Sequence, residues 1–302
     1  MAPALEPAVT GERFEFVGKA GRLSAYVAGE GPPMLLVHSI NAAASVAEVR
    51  PLHEHFRSAG RTVFSLDLPG FGFSDRSERP YTPRLMTDAI HDAVEQVRRR
   101  CGKAPIDALG LSLGCEFLAR ASAEAQGSFR TLALVSPTGF RGTQVLRGPA
   151  GSTRALPWLY AFLRGPGWGD SLYNALTRPG VIRYFLRKTW GSADIDEELW
   201  RACVVSARQA GAANAPLQFL SGNLFSADIH AVYEAVQAPV WMSHGQRGDF
   251  TDYRGKSIVE RRSSWRITVY PTGAIPYFEI PERFMRDYEA FLASTSGGAA
   301  SG

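Results

Sequence analysis

One serine has glycines two residues before and two residues after it, in Gly110-Leu111-Ser112-Leu113-Gly114, and this is where the chain is best equipped for chemistry. The short apolar run Ile106-Asp107-Ala108-Leu109 precedes it, and the helical stretch Cys115-Glu116-Phe117-Leu118-Ala119-Arg120 follows. A strand that turns abruptly into a helix strains the backbone of its central residue, and only small neighbours let the two arms approach so closely. Ser112 Oγ would then stand clear of the backbone as a nucleophile. The Leu113 N–H, in the first turn of the helix, would face the negative charge that develops on an attacked carbonyl oxygen.

A strand and a helix on either side of one residue need a larger frame, and the sequence supplies it. Nearly continuous apolar runs at Met34 to Val37, Thr62 to Leu66, Ile106 to Gly110, Leu132 to Val135, Val240 to Met242 and Ile267 to Tyr270 read as strands buried on both faces. Phe14 to Val17 and Leu23 to Val27 alternate and read as an opening hairpin. Thr82-Pro83 opens a helix in which Leu85, Met86, Ala89, Ala93, Val94 and Val97 share one face, and Pro281 to Leu292 repeats the pattern with Phe284, Met285, Tyr288 and Phe291. Strands alternating with helices predict a mostly parallel central sheet flanked by helices. Between residues 137 and 228 the strand pattern lapses into aromatic helical segments broken by Gly and Pro, which predicts a helical cap inserted into a core made of residues 1–136 and 229–293. Residues 294–302 read as a flexible tail.

Composition sets the outer bounds. The 302 residues are 45% hydrophobic and 21% charged, an ordinary globular balance. No run approaches the roughly 18 apolar residues of a spanning helix, and Met1 to Pro7 lacks the basic start and apolar core of a secretory signal. Cys101, Cys115 and Cys203 are too few and too far apart for a disulfide framework or a zinc site, so a cytoplasmic location is expected. The net charge of +4 is modest, but from Arg141 to Trp190 there are eight basic residues against Asp170 alone, interleaved with Trp158, Tyr160, Phe162, Trp168, Tyr173, Tyr184 and Phe185. No nucleic-acid-binding motif accompanies this stretch, which leaves a solvated lid or a peripheral contact with a membrane surface.

Four segments, in order, resemble the α/β-hydrolase superfamily over Phe14 to Leu292. Leu35-Leu36-Val37-His38-Ser39-Ile40-Asn41 is similar to the strand ending in His-Gly-x, which makes the Ile40 N–H the second oxyanion donor beside Leu113, with Ser39 in place of the usual glycine. Leu66 to Asp75 matches the loop D-x-P-G-x-G-x-S, and the turn at Ser112 matches the nucleophile elbow. Ala238 to Phe250 resembles the strand ending in His-Gly-x-x-Asp, displaced by one residue, so that Gly248 takes the usual acid position and Asp249 becomes the candidate acid, with Asp252 as a weaker substitute. Gly273 to Glu282 follows the pattern G-H-x-P-h-x-E-x-P-E, and the position of its catalytic histidine holds Ala274.

An alanine methyl can neither accept the serine proton nor return it to a leaving group. His38 and His244 at strand ends and His230 at the end of the cap are the stand-in bases, although the first two positions hold loop-organising histidines in the resembled family. His53, His55 and His91 read as solvated helix-face residues. A designed knockout would account for Ala274 alone, whereas Gly248 and Ser39 are further departures that a single swap would not produce.

The resemblance implies a serine-type hydrolase acting on a small apolar ester-like or acyl substrate, with an altered or incomplete triad and without cofactor, metal or nucleic acid. Two other readings stay open: a noncatalytic binding protein that keeps the pocket, and cofactor-free lyase-type chemistry on the same scaffold. Trp158, Trp168 and Trp190 could line an apolar pocket or serve in packing. The oligomeric state is not legible.

Overall fold

Strands that are apolar on both faces need cover on both sides, and the chain provides it with helices. A computed structural model describes residues 3–165 and 168–296. Eight strands run as β1 (Glu12–Gly18), β2 (Gly21–Ala28), β3 (Pro33–Val37), β4 (Thr62–Asp67), β5 (Ile106–Leu111), β6 (Phe129–Val135), β7 (Val240–Gly245) and β8 (Trp265–Tyr270). Their order in the sheet is β1-β2-β4-β3-β5-β6-β7-β8. β1 and β2 pair antiparallel, as does β2 with β4, and every other pair is parallel. Every residue of β3, β5 and β7 is buried, whereas β1, at an edge, alternates exposed and half-buried.

On one face lie α2 (Pro83–Cys101) and α3 (Gly114–Glu124), with Met86, Ile90, Val94, Phe117 and Leu118 buried against the sheet. Thr82 caps α2, its Oγ1 accepting the Leu85 N–H at 3.2 Å. On the other face lie α1 (Arg50–Ser58) and, near the C-terminus, a helix over Pro281–Ser296 that buries Phe284, Tyr288 and Phe291. Trp241 of β7 stacks on Tyr288 at 5.1 Å and 10° between ring planes.

Six helices fill the stretch between β6 and β7: α4 (Pro157–Leu163), α5 (Gly169–Leu176), α6 (Pro179–Trp190), α7 (Glu197–Ser206), α8 (Asn214–Leu220) and α9 (Ile229–Ala235). α9 packs on α3 and shares its apolar cluster through Val232 and Tyr233. Both ends of the excursion are tied to α3. Glu116 accepts the Thr138 hydroxyl at 2.5 Å on the way out and the Ser226 N–H at 3.0 Å on the way back. One turn on, Arg120 holds Asp228 through two bonds of 2.6 and 3.1 Å, and Asp228 also accepts the Gly151 N–H at 2.7 Å. After β8 come the short α10 (Pro276–Glu279) and the Pro281–Ser296 helix, α11.

The structure corrects two expectations. The expected tail begins inside α11, which runs on through Ser294 and Thr295 to Ser296, the two hydroxyls donating to Phe291 O and Leu292 O. The remainder of that tail, 297–302, lies outside the described residues. His53 is buried rather than solvated, since α1 lies on β4 with His53 between Leu52 and Phe56. Its Nδ1 meets Ser65 Oγ at 2.8 Å and its Nε2 meets Thr10 O at 3.0 Å. Among the described residues no helix is long and apolar enough to cross a membrane.

Candidate active site

β3 has β4 on one side and β5 on the other, so the connections leaving the C-terminal ends of β3 and β5 diverge and leave a crevice between them. Ser112 stands at that point. Its φ is 52°, and among the described non-glycine residues only Ser136 shares a positive φ. Such a backbone costs about 1–2 kcal/mol and persists only where its surroundings enforce it. Here the Ser112 N–H is held by Val135 O at 2.8 Å, and Ser112 O accepts the Cys115 N–H at 3.1 Å.

The flanking glycines are there for space. A Cβ on Gly114 would come within 2.4 Å of His38 O, and one on Gly110 within 3.1 Å of the Cys115 backbone. Removing those methyls lets the first turn of α3 press against the loop that leaves β3, which brings Ile40 and Leu113 to the same end of the sheet. Ile40 and Leu113 are buried, and among the described residues neither N–H has an acceptor. Buried backbone donors without partners are rare, and an oxyanion needs a pair of such donors. Ser112 is half-buried, and its hydroxyl likewise has no partner among the described residues.

The loop carrying Ile40 is braced from below. Glu48, buried in the 3₁₀ turn Val46–Val49, accepts the Ser39 N–H at 2.9 Å and Asn41 Nδ2 at 2.5 Å, and burial raises its pKa above the usual carboxylate range. Ser39 has no positive φ, so a side chain there brings no backbone strain. Asp67 is a brace too, accepting the Val46 and Phe73 N–H groups at 3.1 Å each. No sequence signal distinguished Glu48 or Glu116 from surface carboxylates. Ser136 could have been noticed, since a proline directly after an apolar run marks the end of a strand.

Among the described residues none of the remaining triad candidates bonds Ser112. Ala274 is buried, its N–H bonded to Thr189 O at 2.9 Å and its carbonyl accepting the Ser136 hydroxyl at 2.7 Å. Asp249 sits on an exposed loop against α6, its carboxylate 3.4 Å from Lys188 Nζ and its N–H on Lys188 O. Asp252 is held by Arg254 and the Gly142 N–H, and the Arg254 guanidinium lowers its pKa below the usual range.

Both nitrogens of each stand-in histidine are already committed. His38 Nδ1 donates to Ser39 O at 2.6 Å and Nε2 accepts the Leu68 N–H at 3.0 Å, and burial pushes its pKa down to about 4. His230 accepts the Leu146 N–H on Nδ1 and donates from Nε2 to Gly139 O. His244 donates from Nδ1 to Gly245 O, accepts from Lys256 Nζ at 3.2 Å and stacks on Tyr253 at 4.0 Å; burial lowers its pKa as well.

The three tryptophans divide. Trp190 is buried against Phe278, while Trp158 and Trp168 lie on the outer surface. A cleft of about 770 Å³ opens elsewhere, between residues 3–10, α1 and α7, and neither Ser112, Ile40 nor Leu113 lines it.

A sheet of this order with its strained turn at the switch point is an α/β-hydrolase fold. Residues 32–193, more than half of the chain, match the family model for the alpha/beta hydrolase fold, and the chain belongs to that family. Solved structures agree over nearly the whole length. An esterase from Exiguobacterium antarcticum superposes with a TM-score of 0.71 at 16% identity, covering 94% of this chain and 100% of that one. The enol-lactonase from Burkholderia xenovorans gives 0.69 at 14%, covering 93% and 100%, and the epoxide hydrolase CorEH gives 0.70 at 18%, covering 94% and 99%. Identities this low describe a shared fold, and the three names already span different reactions.

Proposed function

We propose that this protein is a serine-type acyl hydrolase with an incomplete triad, in which Ser112 is the nucleophile and the Ile40 and Leu113 N–H groups bind the oxyanion. The observation that carries the reading is the strained Ser112 beside two buried donors that have no acceptor among the described residues. Unsatisfied donors destabilise a fold, and they gain an acceptor when an acyl oxygen occupies the site, while the strained turn keeps the hydroxyl clear of the backbone. Ser112 Oγ attacks the carbonyl carbon, the oxyanion collapses, and the bond to the leaving group breaks, giving an acyl-enzyme and the free alcohol. The serine proton passes to water or to the departing oxygen, because Ala274 offers no base. Water then cleaves the acyl-enzyme. Small apolar activated esters, whose leaving groups need little protonation, are the substrates that such a site handles, and their turnover is slow.

A second reading, a noncatalytic binding protein, is favoured by Ala274 together with the three fully engaged histidines. A fluorophosphonate probe separates the two. The acyl-hydrolase reading expects a single covalent adduct whose mass maps to Ser112 and which disappears in Ser112→Ala. A protein that stays unlabelled even after prolonged exposure to excess probe would be a binder.

A further inference from the structure

We propose that the outer face of the excursion between β6 and β7, centred on α4, docks on an anionic lipid bilayer. The sequence of α4, Pro157–Leu163, contains no charged residue, yet Trp158 is 68% exposed and Phe162, one turn on, is 57% exposed. Trp168 extends the patch, its ring 5.6 Å from Phe162 and its Nε1 bonded to Phe162 O at 2.8 Å. Leu156 and Leu220 border it, side by side because the Leu156 N–H bonds Ser221 O. An uncharged helix that turns two of its aromatic rings to solvent is an unpartnered surface.

Charge decides the occupant. Arg154, two residues before Leu156, is exposed and has no ion pair among the described residues, and Arg141, Arg178 and Arg187, elsewhere on the excursion, are likewise exposed and without an ion pair among them. Across a two-fold contact between copies such arginines would meet their own kind, which disfavours a second copy of this chain. A surface of anionic headgroups over hydrocarbon satisfies both features, since tryptophan and phenylalanine settle at the headgroup boundary while arginine heads meet phosphate and carboxylate. The surface does not depend on Ser112 chemistry, so its test stands whatever the probe reports there.

The full chain is sedimented with vesicles of phosphatidylcholine alone or mixed with phosphatidylserine, at low and high salt, with tryptophan emission followed in parallel. The protein is expected to pellet with the mixed vesicles at low salt, to release as salt rises, and to shift its emission to the blue as Trp158 and Trp168 leave water. Trp158→Ser/Phe162→Ser/Trp168→Ser should weaken partitioning roughly tenfold or more, since each buried ring is worth that order. Replacing Arg154, Arg178 and Arg187 by Gln should weaken the salt dependence. Absence from the pellet with mixed vesicles at low salt overturns the proposal, as does unshifted emission in the pelleted protein. So does concentration-dependent self-association without lipid that the triple aromatic variant abolishes.

Discussion

At Ser112 an unfavourable backbone is maintained by ordinary forces: one hydrogen bond to Val135, one from Cys115, and two glycines whose missing methyls let α3 close on the loop after β3. Replacing its hydroxyl with hydrogen disturbs none of these, so Ser112→Ala should melt close to the parent, within about 0.5 kcal/mol, while losing every covalent adduct. A large fall in stability by urea titration would make the hydroxyl structural. Ala274→His restores a base by sequence position only. A correctly placed general base is worth about 10²–10⁴-fold, but Asp249 faces Lys188 and would not orient the new ring. Hydrolysis of a small activated ester should therefore rise only about tenfold, and a further gain should need a carboxylate at a neighbouring strand end, as in Ser136→Asp. An Ala274→His rate unchanged from the parent would remove Ala274 from the site. Local spacing pointed to the turn at Ser112 and Leu113, and the resemblance alone pointed to Ile40; the structure gives Ser112 the strained backbone that the turn implied. Asp249 depended on a loop path, and a one-residue shift in a loop reaches different neighbours, here Lys188, without leaving a mark in the pattern.

At the scale of elements, α3 both starts at the nucleophile and holds the two ends of the excursion, so what loosens the excursion also loosens the support of the site. The Arg120–Asp228 pair has side chains only 11% and 5% exposed. Removing one partner of a buried pair strands the other and costs about 3–5 kcal/mol. Asp228→Asn should fall near the lower end, because an amide oxygen can still accept from Gly151, and Arg120→Ala near the upper. Denaturant unfolding of the two variants checks the order, and equal, small losses would mean that water already reaches this pair. Strand positions were legible because strands buried on both faces read as short continuous apolar runs, and the two long helices because an amphipathic helix carries a period; the six helices of the excursion were read only as a helical region. The ties at Glu116 and Arg120 were not, because a buried carboxylate and a surface carboxylate on a helix have the same sequence and differ only in what folds over them.

For the molecule as a whole, two buried groups give folding a pH dependence of opposite sign. His38 has a folded pKa pushed down by burial to about 4 from an ordinary 6.5, so its contribution is intact above pH 6.5 and is lost as pH falls toward 4. At about 1.36 kcal/mol per unit the loss approaches roughly 3 kcal/mol. Glu116 has a folded pKa pushed up by burial to about 6 from 4.5, so the folded state holds a proton that the unfolded chain has released. Its contribution is present below pH 4.5 and is lost as pH rises through 6, by roughly 2 kcal/mol. Between pH 4.5 and 6 the two slopes oppose each other, and acidification costs less than His38 alone would impose. Glu116→Gln removes one slope and leaves the other, while its amide can still bond Thr138 or Ser226. Relative to the parent, the variant should gain about 2 kcal/mol as pH is raised from 4.5 to 6 and hold that gain to pH 7, and it should lose stability more steeply than the parent on acidification. Urea titrations of both proteins at half-unit intervals read this difference directly, with the other titrating groups common to both. A difference that stays flat from pH 4.5 to 7 would mean that the Glu116 carboxyl is ionised in the folded protein and that the excursion is held to α3 by a charged bond.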